Sequence, residues 1–278
     1  MTHYDLIIRG GYVIDGTGAP AFKADIGVVG DTVIKLGDLS GCPAGSVINA
    51  EGMYVCPGFI DIHNHSDLSI FKVPTADNYV LQGVTTIVIG NCGSSPAPVT
   101  EKNKELIREL MWGLEASSFP VMWSSFGEYL SKLDSLEKSI NIAALVGHGT
   151  VRSAVLGAED VKAGGRELKE MALLIEDAMK SGAFGMSLGL IYIPSMFADL
   201  NELMYLSKAV ARYRGLLAVH MKDEGMGLID SVIEVITIAK ETGVKLEISH
   251  LKAVGRASWG KAATALRIIE EYASKGLD

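Results

Sequence analysis

Residues 167–190 read ELKEMALLIEDAMKSGAFGMSLGL, a stretch that predicts one helix followed by one strand. Apolar side chains recur there at the spacing of a single helical face, at Leu168, Met171, Ile175 and Met179. This spacing predicts a helix from Glu167 to Lys180, and Gly182 stands where glycine favours the end of a helix. The apolar run from Ala183 to Leu190 then predicts a strand. A helix that leads into an apolar strand is typical of a parallel α/β sheet.

The same alternation continues on both sides of this unit. Asp199 is placed to cap a helix that ends near Gly215, a third helix ends near Gly243, and a fourth covers about Trp259 to Ser274. Residues 101–135 are helical in places and predict an elaborated connection. Six strands are predicted in the series: Phe59 to His63, Thr85 to Gly90, Asn141 to Gly147, Ala183 to Leu190, Leu216 to His220 and Lys245 to His250. Strands that alternate with helices imply right-handed βαβ units and a parallel sheet.

The fold class that this pattern predicts is α/β, a TIM-like (β/α)8 barrel. A complete barrel has eight strands and typically about 250 residues. Residues 56–278 contain about six βα units, so the sequence predicts a barrel that lacks its last two units.

Residues 1–55 have a different pattern, with short β runs and no helical period. The predicted strands are Asp5 to Arg9, Gly11 to Ile14, Asp25 to Val29, Asp31 to Leu36 and Ser46 to Tyr54. Breaks such as Asp15-Gly16 and Gly30-Asp31 suit tight turns between antiparallel strands. The predicted organisation is an N-terminal β-sandwich portion over residues 1–55 and a barrel domain over residues 56–278.

Composition limits the classes of function. The net charge is −8, from 33 acidic and 25 basic residues, which disfavours nucleic acid and anionic membrane surfaces as partners. Three cysteines are too few and too scattered for a disulfide framework. The N-terminal residues do not resemble a signal peptide, and no apolar run reaches the roughly 18 residues of a membrane span. We therefore expect a cytoplasmic protein with reduced thiols.

Residue types that bind metals cluster at the carboxyl ends of the predicted strands. His63 and His65 close the first strand and Cys92 the second, whereas His148, His220 and His250 close the third, fifth and sixth. Side chains from these ends converge at one mouth of a parallel barrel. His63 and His65 are two residues apart and share a face, as does Asp61, which is placed to orient a ligand.

Imidazole nitrogens combined with one thiolate sulfur favour zinc over magnesium or calcium, which prefer oxygen ligands. Each histidine taken alone is more often a loop or core residue than a ligand. The recurrence of five such residues at four strand ends is what predicts a zinc site, formed by His63, His65, Cys92, His220 and His250.

Several motifs resemble the amidohydrolase superfamily, and within it the N-acyl-D-amino-acid deacylases, or D-aminoacylases. The most specific is Gly90-Asn91-Cys92-Gly93-Ser94-Ser95-Pro96-Ala97-Pro98. The others are Pro57 to His65, Gly83 to Thr86, Gly147 to Arg152, Ser187 to Tyr192 and Ser249 to Lys252. The resemblance extends over nearly the whole chain and implies zinc-dependent hydrolysis of N-acyl-D-amino acids, which releases a carboxylate and a D-amino acid.

The resemblance also implies roles for individual residues. Cys92, His220 and His250 correspond to a tightly bound zinc, and His63 and His65 to a second, weaker site that shares the cysteine. Lys252 and Tyr192 correspond to positions that contact the substrate, and Lys252 is suited to pair with its carboxylate. Two further residues correspond to a motif that supports the site, His148 and Arg152. The general-base aspartate of the family follows an eighth strand and is expected beyond residue 278.

Two alternatives remain open from the sequence. One is a cyclic-amide hydrolase such as a dihydroorotase or hydantoinase, which the absence of a lysine in the fourth strand disfavours. The other is a chain that binds metal but is catalytically incomplete. Such a chain would have open sheet edges, which favour self-association or completion by a missing C-terminal segment.

Overall fold

The computed structural model describes residues 2–110 and 122–278. The chain divides into two compact units, residues 1–59 and residues 60–278. Within the described residues, no helix has the length and apolar character needed to cross a membrane.

The first unit contains one five-stranded sheet. Its strands are β1 (Tyr4–Val13), β2 (Phe22–Val29), β3 (Thr32–Gly37), β4 (Ala44–Asn49) and β5 (Tyr54–Val55). The order is β3-β2-β1-β4, and β5 also pairs with β1. The two predicted strands at residues 5–14 form the single strand β1, whose pairing with β2 shifts register between Ile8 and Gly11.

The antiparallel pairing predicted for this unit is correct for β1 with β2 and for β2 with β3. β4 and β5, for which the sequence predicted no partner strand, both run parallel to β1. After β3, the chain crosses to the far side of β1 instead of turning back on its neighbour. The predicted strand from Ser46 to Tyr54 is divided into β4 and β5 by a turn at Glu51 and Gly52, where Gly52 has a φ of 78°.

The second unit contains the six predicted parallel strands, except for one end residue, Phe59, which falls in the first unit. They are β6 (Phe59–Asp61), β7 (Val84–Ile89), β8 (Asn141–Gly147), β9 (Gly185–Gly189), β10 (Leu216–His220) and β11 (Lys245–Ile248), in the order β11-β10-β9-β8-β7-β6. The prediction of a TIM-like α/β fold with about six βα units is confirmed. Two strands end two residues earlier than predicted, β6 at Asp61 and β11 at Ile248, so His63 and His250 lie in the loops that follow.

Helices connect these strands, and their ends follow local chemistry. They are α1 (Asp77–Val80), α2 (Lys104–Leu110), α3 (Phe126–Asp134), α4 (His148–Leu156), α5 (Gly165–Lys180), α6 (Leu200–Ala211), α7 (Leu228–Thr242) and α8 (Lys261–Ser274). The Asp199 carboxylate accepts a hydrogen bond from the backbone N–H of Glu202 and caps α6, as predicted. Gly243 ends α7 in the left-handed conformation, with a φ of 71°. The predicted connection over residues 101–135 includes α2 and α3, and its residues 111–121 lie outside the described part.

The main core lies between the parallel sheet and the helices that cover it. Strand residues such as Ile87, Leu145 and Leu217 are fully buried, and so are Met171 and Ile175 of α5. These helix residues belong to the apolar face that residues 167–190 predict. The sheet is therefore a packed support for the loops at its carboxyl edge.

Strand β9 approaches its neighbours so closely that it requires glycine at its first residue. A Cβ atom on Gly185 would lie 1.9 Å from the backbone oxygen of Leu216 in β10. Because backbone atoms on the partner strand cannot move aside cheaply, we expect Gly185→Ala to lower the free energy of unfolding by about 1–3 kcal/mol. Urea denaturation measures this change.

Gly165, at the start of α5, is the matched control, because a Cβ atom there would meet no atom within 4 Å. Gly165→Ala should leave the unfolding midpoint unchanged or raise it slightly. Equal midpoints for the two variants would contradict the close approach of β9 to β10.

Candidate metal centre

The candidate site lies at the carboxyl edge of the parallel sheet, in the loops after four strands. His63 follows β6, Cys92 follows β7, His220 ends β10 and His250 follows β11. Cys92 and His250 both have positive φ values, 54° and 40°. Non-glycine residues adopt this conformation at a cost, and such strain is concentrated at functional sites.

The Cys92 sulfur is at the centre of a group of imidazole nitrogens. Its Sγ atom lies 3.4 Å from His63 Nε2, 3.6 Å from His220 Nδ1 and 3.7 Å from His250 Nε2. The ring of His65 lies beside that of His63, with 5.2 Å between their centroids. The structure thus brings together the five residues that the sequence predicts as one cluster.

The cluster shows how strongly the sheet is curled. β6 and β11 are the two edge strands of the six-stranded sheet. In a flat sheet, five interstrand spacings of about 4.8 Å would keep them about 24 Å apart. The rings of His63 and His250 nevertheless lie 4.8 Å apart, and those of His220 and His250 lie 4.4 Å apart. The strands therefore curve around a common axis, as in part of a barrel.

Burial favours the uncharged forms of four side chains in the cluster. Desolvation, with a smaller repulsion from His250, lowers the pKa of His63 to about 4. Desolvation is also the main cause of the lowered pKa values of His65 and His220. Burial, followed by the negative charge of Glu224, raises the pKa of the Cys92 thiol to about 11. These shifts favour neutral imidazoles at His63, His65 and His220 and a protonated thiol at Cys92.

The donor atoms of this cluster fit a metal ion. His63, Cys92 and His250 offer three atoms within 4.8 Å of one another, and so do His220, Glu224 and His250. Buried His63 Nδ1 and His220 Nε2 have no hydrogen-bond partner in the described part of the chain. Imidazole nitrogen with one sulfur is a donor set typical of zinc.

Glu224 is a member of this site that the sequence did not indicate. Its Oε1 atom lies 2.9 Å from His250 Nδ1, and the side chain is 9% exposed. Lys252 donates to the same oxygen. Glu224 lies in the loop after β10, four residues beyond His220, without any motif that marks it. The signal that could have found it is a carboxylate close after a predicted ligand.

Asp61 contacts the loop of the first histidine and not its ring. Its Oδ1 atom accepts from the backbone N–H of His63 at 3.2 Å, and Oδ2 accepts from Asn64 Nδ2 at 2.7 Å. The carboxylate thus shapes the turn that carries His63. The sequence placed this residue beside a ligand, and the contact that the structure gives it is with the backbone.

His148 and Arg152 lie apart from the cluster, at the start and in the middle of α4. Both side chains are fully buried, and both contact Glu202 of α6. His148 Nε2 lies 2.9 Å from Glu202 Oε1, and its Nδ1 lies 2.9 Å from Ser195 Oγ. The sequence did not indicate Glu202, whose carboxylate provides the counter-charge for the buried guanidinium of Arg152. The Nε and Nη1 atoms of that guanidinium lack hydrogen-bond partners among the described residues.

Ser195, which contacts His148, also lines a cavity beside the cluster. The cavity has a volume of about 460 Å³. Its lining combines site residues with apolar ones: His65, Cys92, Gly93, Ser94, Leu106, Gly149, Thr150, Tyr192, Ile193, Pro194 and Ser195. The Tyr192 ring also lies 4.9 Å from that of His220. Tyr192 therefore lies beside a predicted ligand and lines the cavity.

Lys252 is half-exposed at the edge of the same cluster. Its amine donates to Glu224 and lies 3.1 Å from His250 Nδ1. The side chain is 47% exposed, so it remains accessible to a ligand. The structure thus pairs this lysine internally with a carboxylate.

Known proteins resemble this chain in sequence and in structure. D-aminoacylase from Alcaligenes xylosoxydans xylosoxydans is 36% identical over 96% of this chain and 54% of its own length. N-acyl-D-glutamate deacylase from Bordetella bronchiseptica, solved with zinc and a phosphonate that mimics the tetrahedral intermediate, is 34% identical with a TM-score of 0.89. That match covers 100% of this chain and 57% of the other.

A D-aminoacylase structure, from work on its binuclear metal centre, is 37% identical with a TM-score of 0.90 and covers 99% of this chain and 57% of its own. The chain therefore spans slightly more than half the length of these relatives. The amidohydrolase family model matches residues 46–266, which include all five residues of the cluster. The chain belongs to the amidohydrolase family.

Proposed function

We propose that this chain provides the zinc site of an enzyme that hydrolyses N-acyl-D-amino acids. The observation that carries the proposal is the Cys92 sulfur within 3.4–3.7 Å of nitrogens from three histidines at the carboxyl ends of three separate strands. Cys92, His220 and His250 would hold the tight zinc, and His63 and His65 a second, weaker one. The zinc complex and the binuclear centre of the two solved relatives support this assignment.

The chain's own residues suggest how a substrate would lie. Bound zinc would lower the pKa of a water molecule towards about 7 and polarise the scissile carbonyl. The cavity next to Cys92 and His65 has apolar walls that suit an acyl group or an apolar side chain. Lys252 would pair with the substrate carboxylate, and Tyr192 would close the cavity beside His220.

The substrate class and its D-configuration are proposed from the relatives, which are D-aminoacylase and N-acyl-D-glutamate deacylase. Strand β9 (Gly185–Gly189) contains no lysine, so the carboxylated lysine of related cyclic-amide hydrolases has no counterpart there. This favours the deacylase over the cyclic-amide alternative.

Proton transfer to the leaving amine requires a general base that we do not assign within residues 1–278. The family resemblance places an aspartate after an eighth strand, and the sheet that carries the site has six strands in the described residues. Two outcomes are therefore distinct for this chain: zinc binding with hydrolysis, and zinc binding without it.

The test combines zinc content with amine release. We expect purified chain to retain zinc on gel filtration and lose it to a chelator. Release of amine from N-acetyl-D-methionine and N-acetyl-D-glutamate, with the L-enantiomers and dihydroorotate as comparisons, then measures hydrolysis. Preference for a D-substrate that chelation abolishes would support the full proposal. Turnover that is unaffected by metal removal, or a chain that retains no zinc, would refute it.

Zinc binding should release about one proton near pH 7. The Cys92 thiol is protonated there, because its pKa is raised to about 11, and the metal binds its thiolate. His63 is already neutral, because its pKa is lowered to about 4, and releases none. The apparent zinc affinity should therefore rise about tenfold per pH unit from pH 6.5 to 8.5.

Calorimetric titrations of zinc in buffers of different ionisation enthalpy measure the released proton. Cys92→Ser provides the comparison, because it removes the ionising thiol. An affinity independent of pH over this range would exclude Cys92 as the ligand that loses the proton.

A further inference from the structure

Glu224 is anchored in the loop between β10 and α7 by its backbone and its neighbours. The Asp223 carboxylate accepts from the backbone N–H groups of Gly225 at 2.6 Å and Gly227 at 3.0 Å. The backbone oxygen of Glu224 accepts from the N–H of Val254 at 2.7 Å. These bonds fix the loop after β10 against the segment after β11, so the Glu224 carboxylate has a defined position.

One carboxylate oxygen of Glu224 contacts two functional side chains. Oε1 lies 2.9 Å from His250 Nδ1 and accepts from the Lys252 amine. Lys252 Nζ in turn lies 3.1 Å from His250 Nδ1. His250 Nδ1 thus has two different neighbours. The Glu224 carboxylate can only accept a hydrogen bond, and the Lys252 ammonium group can only donate one.

These two neighbours favour opposite tautomers of the His250 ring. If Nδ1 carries the ring proton, it donates to Glu224, and the lone pair of Nε2 faces the Cys92 sulfur at 3.7 Å. If Nε2 carries the proton, Nδ1 accepts from Lys252, and an N–H group points at the sulfur. Only the first tautomer leaves Nε2 able to bind a metal.

We propose that Glu224 is a positioning residue that fixes His250 in the Nδ1–H tautomer and restrains Lys252 from stabilising the other one. The inference rests on the proposed zinc site and adds to it a residue that orients a ligand. Glu224 is 9% exposed, so water competes weakly for its carboxylate. Because it holds both a metal ligand and the lysine proposed to bind substrate, Glu224 couples the two halves of the site.

The first experiment reads the tautomer directly in the metal-free chain. Long-range ¹H–¹⁵N NMR spectra distinguish Nδ1–H from Nε2–H rings, and the chain has six histidines, which single substitutions assign. We expect His250 to be the Nδ1–H tautomer in the wild-type chain and to shift towards Nε2–H in Glu224→Ala. A wild-type ring that is already Nε2–H, or a Glu224→Ala ring that does not change, would overturn the proposal.

The second experiment measures zinc affinity by competition with a chromophoric chelator. Glu224→Ala should weaken zinc binding by about 10–100-fold. Glu224→Gln, whose amide oxygen still accepts from Nδ1–H, should weaken it less. Glu241→Gln, an exposed carboxylate removed at the end of α7, is the control and should bind like the wild type.

A double variant separates orientation from simple structural damage. In Glu224→Ala, the freed Lys252 amine should donate to His250 Nδ1 and stabilise the unfavourable tautomer. Adding Lys252→Met removes that donor, so the double variant should bind zinc more tightly than Glu224→Ala alone. A double variant that binds more weakly than Glu224→Ala would contradict the mechanism.

Failure of the zinc proposal would be recognisable as a separate result. A wild-type chain that binds no zinc would refute the proposed function, whereas the tautomer of His250 in the metal-free chain would still decide whether Glu224 orients the ring.

Discussion

Cys92→Ser is expected to lower the zinc affinity of the chain by about a hundredfold or more. Cys92 Sγ faces three imidazole nitrogens from the ends of separate strands, so its loss removes the donor common to these three histidines. A hydroxyl is a poor replacement, because zinc binds thiolate and a serine hydroxyl does not ionise near neutral pH. Competition with a chromophoric chelator measures the change.

The chain provides two matched controls for this substitution. Cys42 and Cys56 are also free cysteines, and both lie in the unit formed by residues 1–59. Cys42→Ser and Cys56→Ser should leave the affinity unchanged. Cobalt offers a direct readout, since a sulfur-to-cobalt charge-transfer band should be present in both controls and lost in Cys92→Ser. Wild-type affinity in Cys92→Ser would exclude the proposed centre.

Glu202→Ala is expected to lower the free energy of unfolding by about 3–5 kcal/mol. Glu202 is 2% exposed and is the carboxylate next to Arg152 and His148, both 0% exposed. Removing it leaves a buried guanidinium without its counter-charge, and a buried charge without a partner is costly. Urea denaturation followed by circular dichroism measures the loss.

Glu176→Ala is the control on the neighbouring helix α5. Glu176 pairs with Arg212, whose side chain is 69% exposed, so breaking that pair should cost about 1 kcal/mol or less. Replacing both buried partners, with Glu202→Leu and Arg152→Met, should cost less than Glu202→Ala, because no charge is left unpaired. If Glu202→Ala costs no more than Glu176→Ala, the buried pair does not support the fold.

Much of the barrel could be predicted because its signals are local. The helical face of α5, the Asp199 cap and the glycine that ends α7 each depend on a few neighbouring residues. The parallel pairing of β4 with β1 could not be predicted in the same way. That pairing depends on the path of the chain between β3 and β4. No local pattern in those residues indicates that β4 will pair with β1.

The same distinction applies to the site. His63, His65, Cys92 and His250 were identifiable because metal-ligand residue types recur at strand ends, and parallel strands bring those ends together. Glu224 and Glu202 were missed because acidic residues are common, and neither lies in a motif that marks it. Their roles arise from contacts across loops and helices: Glu224 with His250, and Glu202 with Arg152. Such contacts become visible in three dimensions.

The curvature of the parallel sheet has a thermodynamic consequence. His63 and His250 follow the two outermost strands, and their rings meet across the mouth of the curved sheet. Two ions that share Cys92, one bound by His250 and the other by His63, would act as a non-covalent cross-link between strands at opposite ends of the hydrogen-bonded ladder. The affinity for metal and the stability of the curved sheet would then be thermodynamically linked. A substitution in the core that destabilises the curved sheet would therefore also speed the release of metal.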